Sequence, residues 1–236
     1  MPAGFAETIV DLDRYPLDHR DAARLREVIT LAQNEFAETG VAVFPDFLRP
    51  DALTEIAASL LVGSADEVPE ERPFSAERVV AQDRIPDSWP LKQLYRWEPL
   101  LDFVSRVAGE LVYRSADELG AVTVHIRPAG DGLHWQFGLS DYSVILQIVA
   151  PEQGGIFEYT PLPRCFPERG DGRRRSVRLL PTVPGTLVLH AGRLSRHRVT
   201  AVHGQIPRIS VEMAFNAKPG HRLNDQQRRT YFGRTE

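Results

Sequence analysis

The chain has 236 residues, of which 42% are hydrophobic and 25% charged, and its formal net charge is −4. This balance suits one soluble folded domain with ample core and gives no electrostatic reason to expect nucleic acid or an anionic membrane as a partner. Cys165 is the only cysteine, which excludes an internal disulfide framework, makes a thiolate metal cluster untenable and fits a reducing cytoplasm.

The N-terminal residues have no basic stretch followed by an apolar run, so no signal peptide is expected. No apolar stretch approaches bilayer length either. Asp21 to Glu38 carries Ala22, Leu25, Val28, Ile29, Leu31, Ala32 and Phe36 near helical spacing, with Gly40 as its stop. The segment 40–48, GVAVFPDFL, reads as a strand leading into a turn, and Pro50 opens a helix to Leu61. From Ser64 to Trp89 the chain is rich in Pro, Glu, Asp and Arg and reads as an irregular surface excursion. Leu91 to Leu111 is helical, with a start, kink or break at Pro99.

The second half alternates as strands do. Ala121–Arg127, Tyr142–Val149 and the segments GIFEYTP, GTLVLHA, HRVTAV and PRISVEMAF are short, β-branched and separated by Gly/Pro turns. Arg173, Arg174 and Arg175, beside Glu168 and Asp171, read as a solvated loop and not as a phosphate patch. Asn224 to Phe232 reads as a short helix capped by Asn224 or Asp225. The expected fold is α+β: a double-stranded β-helix (jelly roll) with N-terminal helices packed on one side. It forms one domain over 1–236, mainly helical over 1–115, jelly roll over 116–220, and tail or helix over 221–236.

His134, His190, His197 and His203 lie on or near these strands. His197 opens a strand after a Gly-containing turn, and Arg208 opens the next one eleven residues later. Strand alternation puts Arg208, Ser210 and Glu212 on one face. An imidazole for a metal and a guanidinium fork for a carboxylate make a chemically sensible pair. A surface arginine and a strand-end histidine would have the same spacing.

Four blocks, taken in order, resemble the iron- and 2-oxoglutarate-dependent oxygenases, most of all the branch of amino-acid hydroxylases and halogenases. They are FAETGVAVFPDFLRPDAL, GDGLHWQFGLSDYSVILQIVAPEQGGIFEY, GTLVLHAGRLSRHRVTAV and PRISVEMAF. The resemblance implies a jelly roll whose mouth holds Fe(II) in a two-histidine, one-carboxylate triad. It implies that His197 is the distal iron ligand and that Arg208, with Ser210, grips the far carboxylate of 2-oxoglutarate. Arg193 matches a position common in this branch, without an assigned role.

The resemblance breaks at the first two ligands. Where relatives read Trp-His-Phe-Asp, this chain reads Trp135-Gln136-Phe137-Gly138. Glycine at the carboxylate position matches halogenases, in which the vacancy admits chloride to the iron; a turn would also favour glycine. A carboxamide at Gln136 is a poor Fe(II) ligand. His134, two residues earlier and on the same strand face, offers a displaced site with Gln136 and His197. His125, Arg127, Glu158 and Glu212 are the candidate contacts to a small polar substrate. Two functions follow as expectations. One is a hydroxylase- or halogenase-type oxidoreductase using Fe(II), 2-oxoglutarate and, in the halogenase form, chloride on a small amino-acid-like molecule. The other is a metal-free relative that binds ligands or performs acid–base chemistry.

Overall fold

The computed structural model describes residues 5–63, 70–71, 76–161, 176–180 and 182–236. Cys165 and the Arg173–Arg175 run lie outside the described residues. In chain order come α1 (Phe5–Ile9), α2 (Ala23–Thr39), β1 (Val41–Phe44), α3 (Pro50–Gly63), β2 (Glu70–Glu71), β3 (Arg78–Val80), α4 (Pro90–Arg96) and α5 (Glu98–Ala108). There follow β4 (Tyr113–Arg114), β5 (Val122–Arg127), β6 (Leu133–Gln136), β7 (Tyr142–Val149), β8 (Gln153–Gly154), β9 (Phe157–Tyr159) and β10 (Arg178–Leu180). The chain ends with β11 (Leu187–His190), β12 (His197–Val199), β13 (Val202–His203), β14 (Arg208–Asn216) and α6 (Asp225–Phe232).

Helix α2 buries Leu25, Ile29, Ala32 and Phe36 along one stripe and stops at Gly40, whose φ of 76° is left-handed. The helical stretch that contains Pro99 divides into α4 and α5 at Trp97. Pro99 has no N–H to give to Tyr95, so Arg114 supplies the bond from outside: its Nε donates to the Tyr95 carbonyl at 2.6 Å. Helix α6 begins with the capping box expected of Asn224, closed reciprocally by Gln227.

The larger sheet runs β1-β11-β7-β14-β5-β3-β2, with β4 added to β14. The smaller runs β10-β9-β12-β6, and β13 pairs with β8. All pairings are antiparallel. Strand alternation divides the molecule into two layers. Ile209, Val211, Met213 and Phe215 of β14 pack beneath the helices with Leu25, Phe36, Leu94 and Phe103. Between the two sheets a smaller core joins Val41, Ile145, Val188, Phe157, Tyr159 and Val199. The residues between those of the helix-side stripe, Arg208, Ser210 and Glu212 among them, face the interior of the roll.

One segment differs from expectation. The stretch before Trp89 is not irregular throughout, because β3 pairs with β5 and places Val79 opposite His125. Glu77, just before β3, is buried. Its neighbours explain why: a carboxylate survives burial when cations meet it, and these cations lie on β5, far away in sequence.

Candidate active site

Strands β5 and β14 form one wall of the roll and set its chemistry in three rows. Arg127 lies opposite Arg208, His125 opposite Ser210, and Thr123 opposite Glu212. Across the roll, β12 and β6 bring His197 opposite Gln136. Two adjoining chambers result, and both are lined by His125, Gln136, His197, Glu212 and Tyr231. The inner one adds Glu77, Arg127, Arg208 and Ser210. The outer one adds Thr123, Gly138, Asn216, His221 and Phe232.

The two arginines of the first row have opposite environments. Arg127 meets Glu77 at 2.5 Å and Asp131 at 3.0 Å, so its charge is neutralised in place. Arg208 is 3% exposed, donates to the Ser210 hydroxyl at 2.9 Å, and has no carboxylate partner among the described residues. Its Nε is buried without any hydrogen-bond partner. Burial lowers its pKa to about 10, with help from the Arg127 charge and against the pull of Glu77. A guanidinium fork left without an anion in a chamber is arranged to receive one.

His125 is the other ordered group. Its Nδ1 lies 3.0 Å from Glu77 Oε1. A carboxylate paired with arginine accepts only, so Nδ1 carries the proton. Nε2 lies 2.9 Å from the Thr123 hydroxyl and 3.6 Å from Glu212 Oε2. Glu212 is also held by the Ser143 hydroxyl at 2.6 Å. His197 stacks on Phe157 and meets the His190 ring edge-on at 4.9 Å. Burial lowers the pKa of His197, against the opposing carboxylate of Glu212. Burial, then the His197 ring, pushes His190 well below its ordinary value. Both rings are therefore neutral at pH 7.

The donors present do not fit the iron that the resemblance implies. His197 supplies one imidazole, but the positions where the resemblance needs a second histidine and a carboxylate hold Gln136 and Gly138. The Gln136 carboxamide oxygen already accepts from the Tyr231 hydroxyl at 3.2 Å. Gly138 lines the outer chamber with its backbone closely packed behind it: its N–H donates to the Gly192 carbonyl at 2.7 Å, and a Cβ there would lie 2.8 Å from Gly192 Cα. The glycine is thus accounted for by close backbone packing. Among the described residues no three His, Cys, Asp or Glu side chains converge as a metal site.

Two expected contacts need correction. His134 is exposed and lines neither chamber: β6 carries an extra residue against β12, so Leu133 and Gln136 both line the inner chamber and His134 beside Leu133 does not. Glu158 also faces away: Phe157 and Tyr159 take the interior positions of β9, and Glu158 pairs on the outer face with Arg198, which lies over Trp135. Arg193 donates to the Leu139 carbonyl and contacts His221, bracing the loop beside Gly138. Sequence reasoning missed Glu77 and Tyr231. No local pattern marks Glu77. Tyr231 stands on a helix legible from its cap, with nothing to say that it roofs the roll.

Comparisons place this geometry in a family. The solved structures it resembles include the non-haem α-ketoglutarate-dependent epimerase SnoN from nogalamycin biosynthesis (TM-score 0.65, 14% identity, 81% of this chain and 84% of that one). A 2OG-Fe(II) oxygenase-family oxidoreductase from Burkholderia pseudomallei matches at TM-score 0.60 and 16% identity, over 81% and 91% of the two chains. A prolyl-4-hydroxylase from Pseudomonas putida matches at TM-score 0.57 and 14% identity, over 79% and 98%. At these identities the likeness establishes the jelly-roll fold. No curated protein matches the sequence. The family model described as Halogenase D matches residues 25–230, nearly the whole chain, and the protein therefore belongs to the Halogenase D family.

Proposed function

We propose that this family member binds a small carboxylate, a 2-oxo acid such as 2-oxoglutarate, at Arg208 and Ser210, and does so without a firmly held iron. The observation that carries the reading is the buried Arg208 guanidinium, which lines the inner chamber and lacks a counter-charge among the described residues. Its neighbour Arg127 is already satisfied by Glu77 and Asp131, so an arriving carboxylate finds one free cation and not two. His125, Gln136, His197 and Glu212 then face the remainder of the ligand, or a small polar, amino-acid-like second molecule. The single cysteine suits a cytoplasmic setting for such a protein. No helix among the described residues is long and apolar enough to cross a membrane.

Isothermal titration with 2-oxoglutarate in the presence of a chelator tests this directly. Saturable binding is expected, and it is expected to be lost in Arg208→Met. No heat or chemical-shift change at millimolar 2-oxoglutarate would refute it.

A second reading is the oxidoreductase one, a hydroxylase or halogenase in which His197 and Gln136 hold Fe(II) beside 2-oxoglutarate. What favours it is that a neutral, buried His197 lines the same chamber as Arg208. Anaerobic addition of Fe(II) and 2-oxoglutarate decides: a weak charge-transfer absorption at stoichiometric iron supports this reading, and none at millimolar iron removes it.

A further inference from the structure

We infer that His125 is a metal-independent proton acceptor for the ligand anchored at Arg208, removing a proton from the carbon next to the keto group of a bound 2-oxo acid. The inference rests on the reading of Arg208 as the carboxylate anchor. It goes beyond that reading by giving the site a reaction.

The geometry begins with the rows of the wall. Arg208 leans onto Ser210 in the second row, and the guanidinium is held there at 2.9 Å. His125 belongs to the second row and leans onto Thr123 and Glu212 in the third. Both side chains lean the same way from neighbouring strands, so one pleat period along the sheet and one strand spacing across it, about 8 Å in all, separate the guanidinium from His125 Nε2. A 2-oxo acid with a carboxylate on Arg208 therefore presents its C3 methylene near that nitrogen.

The chemistry follows from the hydrogen bonds around the ring. Glu77 is buried, fixed by Arg127 at 2.5 Å, and holds the proton on Nδ1 at 3.0 Å. In the neutral ring this leaves the lone pair on Nε2, the nitrogen turned toward Thr123 and Glu212. A carboxylate that orients an imidazole and leaves its other nitrogen basic is the recurring arrangement of a general base. The step balances without a co-reactant. The C3–H bond breaks and its proton passes to Nε2. The electron pair forms the C2–C3 double bond and moves the keto π electrons onto oxygen. Gln136, whose carboxamide oxygen is engaged by Tyr231, keeps its nitrogen as a neutral donor for that oxygen. Return of a proton from Nε2 to C3 restores the keto acid.

The test is proton NMR of 2-oxoglutarate in D2O with the full chain and excess EDTA, with binding measured separately by titration. Loss of the C3 signal at least tenfold faster than in buffer is expected, stopping at one deuteron because a fixed base sees one face. His125→Gln, saturated with 2-oxoglutarate, is expected to fall to the buffer rate. Thr123→Val keeps the side-chain shape and removes the hydroxyl that competes for Nε2, so it is expected to exchange faster. That variant decides the matter if His125→Gln does not fold. Binding without accelerated exchange overturns this inference and leaves the Arg208 reading standing. So does exchange that survives His125→Gln, or that is unchanged or slowed by Thr123→Val. Failure of 2-oxoglutarate to bind overturns both.

Discussion

Arg208→Met separates stability from binding. The guanidinium is buried at 3% exposure, and its pKa falls to about 10 from an ordinary value above 12. At about 1.4 kcal/mol for each tenfold change in proton affinity, the folded protein carries a penalty of about 3 kcal/mol for holding that charge without an anion. The sign is set by the lowered value: at every pH below about 10 the arginine is charged in both the folded and unfolded states, so the penalty is present in full at pH 7. Methionine fills much of the same volume without the charge, at a packing cost of about 1 kcal/mol. The variant is therefore expected to be about 1–3 kcal/mol more stable in urea, with an unchanged slope. Saturating 2-oxoglutarate, at a hundred times its Kd, should add about 2.7 kcal/mol to the wild type and nothing to the variant. A variant more than about 1 kcal/mol less stable than wild type would refute the unpartnered-charge argument. Equal stabilisation of both proteins by the ligand would refute the anchor.

Other outcomes follow from the same geometry. Gln136→His, combined with Tyr231→Phe to release the position, should tighten Co(II) binding at least tenfold by offering a second imidazole opposite His197, read from the visible absorption of the metal. Gly138→Ala should cost about 1–3 kcal/mol, and roughly 2–4 °C of Tm for each kcal/mol, because its methyl group would press on Gly192 Cα; an unchanged melt would contradict the close approach. His190 and His197 both have lowered folded pKa values, chiefly from burial, so the unfolded chain takes up protons that the folded chain refuses once the pH drops below about 6.5. Stability should be intact above that value and fall as the pH drops from about 6.5 toward about 5, read from urea midpoints, with a shallower fall in His190→Met. Asp117 is fully buried, accepts from the N–H groups of Leu119, Gly120 and Leu223, and pairs with Arg228 of α6. Asp117→Ala should cost about 3–5 kcal/mol by denaturant titration and loosen the helix that carries Tyr231. Burial raises the Asp117 pKa, but the bonds from Gly120, Arg228, Leu223 and Leu119 outweigh it and hold it low. That contribution is present above pH ~4 and is lost as the pH falls further.

Periodicity made most of the fold legible. The strand Tyr142–Val149 stands where its β-branched run put it, and Asn224 caps α6 through the box that its sequence offers. Alternation put Arg208, Ser210 and Glu212 on one face and His125 and Arg127 on one face of another strand; the pairing of β14 with β5 then sets these faces side by side, turned inward. The same rule was silent where partners come from far along the chain. Glu77 is an ordinary residue of a polar stretch until β3 docks on β5 and carries it beneath Arg127. Alternation also misled at an irregularity: the extra residue in β6 breaks the period between Leu133 and Gln136, so His134 does not share the face of Gln136. Glu158 was assigned by analogy to a lining position, although Phe157 and Tyr159 on either side compete for the interior and win on hydrophobicity.

The backbone contact between Gly138 and Gly192 couples two positions into one. An aspartate introduced at 138 would need the turn at 192 rerouted in the same step, yet Gly192 is itself confined, since a Cβ there would lie 2.7 Å from the Ser140 carbonyl oxygen. Neither residue can change alone without strain, so a carboxylate ligand at 138 calls for a rebuilt loop and not a single substitution.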